Sequence, residues 1–449
     1  MDIIYPCCAG LDVHQETVVV AVRDNRHGGR ARVMTRTFQT TTTALEELRD
    51  WLLSAEVTAI AMESTGVYWK PIFNILEGHF PDLYLCNAQH LKRVPGRKTD
   101  VSDADWIAQL LQAGLLRASF VPDRTMRELR DLNRERTQLD AEASRIVNRL
   151  HKVLQDANIK LATYVTDIMG VSGREMLDAI VRGDYSPADT AKLARGRMRP
   201  KIPDLKEALR GRVTGHHRFM LSRFLRQYDQ VQAEIRAFDA RIAELMASHA
   251  EPPDTTPPPT PTDTSGGDDG TPGDDGTRGP LSYTAATELL DTIPGISRLS
   301  SERILAEIGT DMSRFPTASH LASWAGMCPG SATSAGKTTK GPRKRKGNKW
   351  LAAALNQVAW AASRTKNSYF STAFRRWSAR RGTKRAVMAV AHAVLRTIWH
   401  VLSRRTPFVD LGVDWFDKLS PDRALRSMKK RLHNMGFEVV PVKPPEAAF

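Results

Sequence analysis

The apolar residues of this chain mix strand and helix periods up to about residue 122 and keep a helical period from about 124, and that division limits what the chain can fold into. Before it, short β-branched runs at about 9–13, 16–23, 31–39, 57–62 and 82–86 predict strands. Amphipathic stretches at 42–54, 67–78 and 100–115 predict helices, and Thr43 with Glu46 has the spacing of a capping box for the first. From about 124 the spacing is helical. Leu132, Leu139, Ile146 and Val153 recur every seven residues, interleaved with Leu129, Ala143 and Leu150, and Arg136 interrupts the second series. Phe224, Tyr228, Val231, Ile235, Phe238, Ile242 and Leu245 alternate steps of four and three. Two heptad seams with roughly 60 residues between them predict a helical hairpin or coiled coil, the insert letting the chain return.

Three early strands in meander, then helices alternating with strands, describe a mixed sheet with flanking helices, and that order is the ribonuclease-H-like (RuvC-like) one. The expected fold is α/β plus α: this sheet over 1–122, a helical coiled-coil region over 123–250, and a helical basic domain over 282–405. A tail, 406–449, carries no assignment. Residues 251–281 hold almost only Pro, Gly, Thr, Asp and Ser. Such a segment buries too little apolar surface to offset its chain entropy, so a disordered acidic linker is expected. A chain of 449 residues also exceeds one core, which suits two or three domains.

Four acids fall at the ends of these elements. Asp12 (in GLDVH) and Glu63 (in MESTG) close apolar strands, and Asp100 and Asp103 (in KTDVSDA) open a helix three residues apart, on one face. Carboxylates delivered from two strand ends and a helix turn can converge on divalent cations. Oxygen ligands on rigid elements suit Mg²⁺ or Mn²⁺, and a two-metal clamp suits phosphodiester chemistry. Any one of these acids is better explained as structural, because Asp favours helix N-termini. Four in this order, each beside small residues, favour a site. Asp105 falls on another helix face, which places it at the surface.

The net charge of +15 and the pI near 9.8 call for a polyanionic partner, most simply nucleic acid. Lys337, Lys340, Arg343, Lys344, Arg345, Lys346 and Lys349 crowd one Gly-rich stretch that ends at Trp350, a density suited to phosphate contacts. Ahead of it, Ser331, Thr333 and Ser334 occupy a small-residue turn. A serine there could attack a phosphodiester, although such serines are usually turn formers. The stretch LLDTIPGISRLSSERILAEIG is compatible with a phosphate-holding helix-hairpin-helix or with a plain helical turn. Cys7, Cys8, Cys86 and Cys328 have neither zinc nor CxxC spacing and suit small thiols in a reducing cytoplasm. No run of about 18 apolar residues and no secretion signal are found, so neither membrane nor export is expected.

GLDVH, MESTG, KTDVSDA, IPGIS (293–297), WAGMCPGSATSAGK (324–337) and KGNKWL (346–351) together resemble the bacterial insertion-sequence transposases that join a RuvC-like DEDD domain to a C-terminal serine transposase domain. Some members are RNA-guided bridge recombinases. The resemblance covers nearly the whole chain in the right order. It implies that Asp12, Glu63, Asp100 and Asp103 are the metal ligands and that Ser334 holds the place of the catalytic serine. Ala335 follows it where the family has glycine, and Ser331 is the reserve candidate. It further implies donor and target DNA, a structured guide RNA, a covalent phosphoserine intermediate, and a dimer or tetramer assembled through the heptad seams. The other readings are a RuvC-type Holliday-junction nuclease using water, and a non-catalytic nucleic-acid-binding protein.

Overall fold

The structure, a computed structural model, describes residues 3–64, 66–87, 102–116, 118–183, 185–248, 281–328, 333–334, 337–338 and 347–438. Asp100, Ser331, Lys340, Arg343, Lys344, Arg345, Lys346 and the expected linker lie outside the described residues, the linker's Leu281 excepted. The chain divides into two compact units, Met1–Asp123 and Arg124–Phe449.

The first unit is a five-stranded mixed sheet of ribonuclease-H-like arrangement. In chain order its elements are β1 (Cys7–Val13), β2 (Thr17–Asp24), β3 (Arg32–Gln39), α1 (Thr42–Ser54), β4 (Ala59–Glu63), α2 (Trp69–Leu76), β5 (Asp82–Cys86) and α3 (Asp103–Gln112). The strands lie in the order β3-β2-β1-β4-β5. β1, β2 and β3 pair antiparallel, whereas β1, β4 and β5 run parallel. Alternation divides the residues of β1 and β4 between two cores. Leu11, Val13, Ile60 and Met62 pack with Leu45, Leu48 and Leu52 of α1 and with Ile72, Phe73 and Leu76 of α2. Cys8, Ala59, Ala61 and Cys86 face Trp106, Ile107, Leu110 and Leu111 of α3. Small residues on that second face let α3 come close. A Cβ on Gly10 would lie 2.2 Å from the carbonyl oxygen of Ala104 and 2.4 Å from the nitrogen of Ala108.

α1 covers the expected range, but no Thr43–Glu46 capping box forms: its N-cap is Thr41, whose side chain makes no capping bond. α3 begins at Asp103, with the Ser102 hydroxyl accepting the Asp105 N–H as its N-cap; the expected start at 100 lies outside the described residues.

The second unit is helical. It begins with α4 (Arg124–Asp156), α5 (Val171–Arg182) and α6 (Gly215–Ser248). α4 and α6 form the expected hairpin and run antiparallel. Leu129 meets Ile242, Leu245 and Met246; Ala143 and Ile146 meet Val231 and Ile235; Leu150 and Leu154 share a core with Leu221 and Leu225. Arg136 is itself a seam residue: it is buried and ion-paired with Asp239 on α6 and Asp140 one turn on. The two seams thus meet each other within one chain. The insert between them also does more than return the chain. Ile159, Leu161, Val165, Ile168, Met176, Leu177, Ile180, Leu205 and Leu209 join Leu150, Leu154, Leu221 and Leu225 in one core with the end of the hairpin.

The C-terminal helices are α7 (Tyr283–Asp291), α8 (Arg298–Ile308), α9 (Ala318–Trp324), α10 (Lys349–Arg364), α11 (Tyr369–Arg381), α12 (Thr383–Arg404) and α13 (Pro421–Asn434). Between α9 and α10, β6 (Thr333–Ser334) pairs antiparallel with β7 (Lys337–Thr338). α12 is long and apolar enough to cross a membrane by length and composition, but Val390, Ala391, Val394, Leu395 and Ile398 on it are core residues of this bundle. The α7–α8 turn is seated on α10. Gly295 adopts φ +88°, and a Cβ there would lie 2.4 Å from the Ala362 nitrogen. At the start of α8 the Ser297 hydroxyl already accepts the Ser300 N–H, so the geometry suits a packed helical turn. α13 keeps Leu425, Met428 and Leu432 exposed.

Candidate active site

Strand register brings two of the four acids side by side. β1 and β4 pair in parallel from Cys8↔Ala59 through Leu11↔Met62, and Asp12 and Glu63 are the next residue on each strand. Alternation turns both toward the face that α3 covers. α3 lies with Ala104 over Gly10 and the Ala108 carbonyl near the Cys8 thiol, so it runs against β1 and begins at the Asp12 end. Asp103, its first residue, enters at that same edge, exposed and in the first helical turn, where the helix dipole favours an acid. Asp12 has 22% of its side chain exposed, and its Oδ2 lies 3.2 Å from His14 Nε2. Three of the predicted carboxylates therefore share the carboxyl edge of the parallel strands. Asp100, the fourth, is outside the described residues.

Proximity stops short of a closed site. Among the described residues no group of three His, Cys, Asp or Glu side chains is close enough to hold a metal ion. Like charges with no cation between them keep apart, so an open arrangement is the expected one for these side chains alone. In chemical type the donor set fits a hard divalent cation: carboxylate oxygens held by two strands and a helix. Cysteine chemistry does not fit this edge. Burial pushes the Cys8 and Cys86 thiols beneath α3 up to about 12, which leaves them protonated and poor nucleophiles.

Asp105 is a correction. It is not at the surface but in a half-buried ion pair, its Oδ1 2.6 Å from Arg23 Nη1 on β2. Arg23 Nε also donates to Gln112, so this one guanidinium ties both ends of α3 to the sheet. The helical pattern of α3 alone says nothing of the basic residue on the strand beneath it.

In the second unit, the backbone of Ser334 pairs with that of Lys337 across β6 and β7. Lys349 is exposed at the start of α10, with its ammonium 5.0 Å above the Trp350 ring, and the Arg134 guanidinium lies 5.8 Å from the same ring. A lysine at a helix N-terminus opposes the dipole, so the helix gains nothing from it and its charge is available to an anion. Sequence reasoning missed a polar cluster behind this end of α10, formed by Arg130, Arg134, Glu307 and Asn348. Its one visible signal is a glutamate at a helical apolar position, in Ile304-Leu305-Ala306-Glu307-Ile308.

No curated protein matches this chain. Two family models do, and together they span just over half of it. The first, the IS110 DEDD model described as a transposase, matches residues 9–159, which include Asp12, Glu63, Asp100 and Asp103. The second, described as the transposase IS116/IS110/IS902 family, matches residues 287–375, which include Ser334 and the basic stretch. The chain belongs to the IS110-type insertion-sequence transposases, enzymes that act on DNA.

Proposed function

We propose that this transposase cuts and exchanges DNA strands through a serine–phosphodiester intermediate, with Asp12, Glu63, Asp100 and Asp103 holding Mg²⁺ or Mn²⁺. The supporting observation is the register that puts Asp12 and Glu63 on adjacent strand ends, with the α3 N-terminus entering beside them. A bound divalent cation supplies charge neutralisation at the scissile phosphate. The protein's own residues do the rest. The Ser334 hydroxyl attacks phosphorus, a new Oγ–P bond forms, and the bond to one deoxyribose oxygen breaks, that oxygen leaving with a proton. The phosphodiester energy is conserved in the protein–DNA link, so a deoxyribose hydroxyl of the other DNA can reverse the step and reseal without ATP. Lys337, Lys340, Arg343, Lys344, Arg345, Lys346 and Lys349 grip phosphates and stabilise the charge that develops.

Donor and target would be recognised by pairing to a structured RNA, with the protein holding backbone and shape, as in other guided systems. Two or more protomers would assemble the composite site, with Ser334 facing the carboxylates of another copy. The protein would work in the cytoplasm, where the DNA is.

The decisive experiment incubates protein, RNA from the element's non-coding end, donor and target DNA with Mg²⁺, and looks for an SDS-resistant protein–DNA adduct. Ser334→Ala should abolish the adduct, and Ser331→Ala should retain it. Cleavage that survives Ser334→Ala but is lost in Asp12→Ala would instead support water as the nucleophile, the junction-nuclease chemistry. Exchange that proceeds without RNA would remove the guided part alone.

A further inference from the structure

Among the described residues Glu307 is the one buried carboxylate, 3% exposed. It stands next to last in α8, where the negative end of the helix dipole disfavours an acid, so the helix itself gives no reason for it. Its oxygens are fully engaged. Arg134 donates Nε to Oε1 at 2.7 Å and Nη2 to Oε2 at 2.8 Å, a two-point grip from α4. Arg130 lies 3.4 Å from Oε2 while donating to the carbonyls of Ala306 and Glu307. Asn348 donates its amide to Oε2.

Asn348 has a second task. Its side-chain oxygen accepts the N–H groups of Trp350 at 3.0 Å and Leu351 at 3.2 Å, so it is also the N-cap of α10. Gly347, just before it, lies against the end of α9: a Cβ there would be 2.4 Å from the Ala325 carbonyl oxygen. Residues 325–326 and 347–348 therefore meet at a closed base. The chain that leaves and re-enters through this base contains Ser334 and all the basic residues of the stretch except Lys349.

We infer that Glu307, acting through Asn348, is a positioning residue for DNA strand exchange: it fixes the base of the 327–346 segment and ties that base to the hairpin helix α4. A buried ion pair is weak evidence of stabilisation, since apolar residues often do as well, and its better-attested use is to specify one arrangement. Reacting atoms displaced by about 1 Å lose roughly a hundredfold in rate, so a small tilt of this base is enough to matter. The inference rests on the proposed function only in taking this segment to carry the reacting group.

The test reads strand exchange between two plasmids bearing the element's ends and its target, which does not depend on which hydroxyl attacks. DNA affinity and Tm are measured beside it. Asn348→Ser keeps an equally good N-cap but is too short to reach Glu307. It should leave Tm and DNA affinity near the parent's while exchange falls at least about tenfold. Asn348→Asp also keeps the cap, but it sets two carboxylates face to face and should lose exchange as well. Adding Glu307→Gln to Asn348→Asp sets the new amide against Arg134 Nη2 and should not recover the rate. Parental exchange by Asn348→Ser would overturn the inference, as would parental exchange by Asn348→Asp. If Ser334→Ala leaves exchange intact while Asn348→Ser still lowers it, the nucleophile assignment fails and the positioning role stands.

Discussion

The acids of the two units are handled in opposite ways. Asp12, Glu63 and Asp103 sit at a solvent edge, on strand ends and a first helical turn, and the partner of Asp12 is a histidine with 59% of its side chain exposed. Glu307 is sealed between helices under two guanidinium groups and an amide. A carboxylate at such an edge keeps part of its hydration, so it can change partners as an ion or a phosphate arrives. A buried one has exchanged hydration for fixed partners and can only hold an arrangement. On the proposed function, the sheet unit places these acids for chemistry, and on the inference above the helical unit places Glu307 for geometry.

The largest effect that could break this contrast is in the sheet. Asp12→Asn removes a charge and keeps the shape. Its exposed pairing with His14 contributes at most about 1 kcal/mol to stability, so Tm should barely move. Strand cleavage should fall by about 10²–10³-fold or more, the scale of losing one preorganised electrostatic group. DNA affinity should be retained and should still drop steeply with salt. A variant that cleaves normally but melts early would mean that Asp12 is structural and that the contrast is false.

Glu307→Ala should show the reverse pattern, with stability lost first. It leaves Arg130 and Arg134 facing each other, and Asn348 loses its acceptor. Breaking a buried pair by removing one partner costs about 3–5 kcal/mol, which thermal or denaturant unfolding would read directly. Burial already presses the Arg130 guanidinium below its usual range, with Glu307 the main opposing influence. A shift in stability no larger than that of Asp12→Asn would show that the helical cluster is as loosely held as the strand edge.

How much of this was legible in the sequence follows from the range of each interaction. The strand order could be read because β-branched runs and amphipathic helices are local signals, and so could the hairpin, because the heptads of α4 and α6 repeat over many turns. Asp105 was misplaced because its partner Arg23 belongs to another element. Arg136 looked like a break in the seam, yet its charge is matched by Asp239 a hundred residues away. The insert at 157–214 looked like a return path because its apolar residues come in short pieces divided by Gly and Pro, and only folding shows that they share one core. The partners of Glu307 were invisible for the same reason: Arg130, Arg134 and Asn348 reach it from two other helices.

Gly10 gives a smaller effect that sharpens the comparison. An alanine there must displace the backbone of α3 at Ala104 and Ala108, and overpacking of this kind costs about 1–3 kcal/mol. The displaced end is the one carrying Asp103. Gly10→Ala should therefore lower cleavage by more than its loss of stability explains, at a temperature where the variant remains folded. Equal losses in cleavage and in folded fraction would uncouple α3 from the chemistry.

Thr41 offers the smallest effect and tests the sheet's other face. It is the N-cap of α1, extended at φ −76° and ψ 153°, yet its side chain bonds to no helix N–H, and the first turn of α1 holds no acid. Thr41→Asp should supply both the acceptor and the charge, raising stability by about 0.5–1 kcal/mol. α1 packs on the face of Leu11 and Met62, opposite the face toward which Asp12 and Glu63 turn. The gain should thus appear in Tm alone, with cleavage unchanged. A stabilised variant with altered cleavage would mean that the two faces of the sheet are coupled, and that an acid can serve chemistry only while the layer behind it stays as it is.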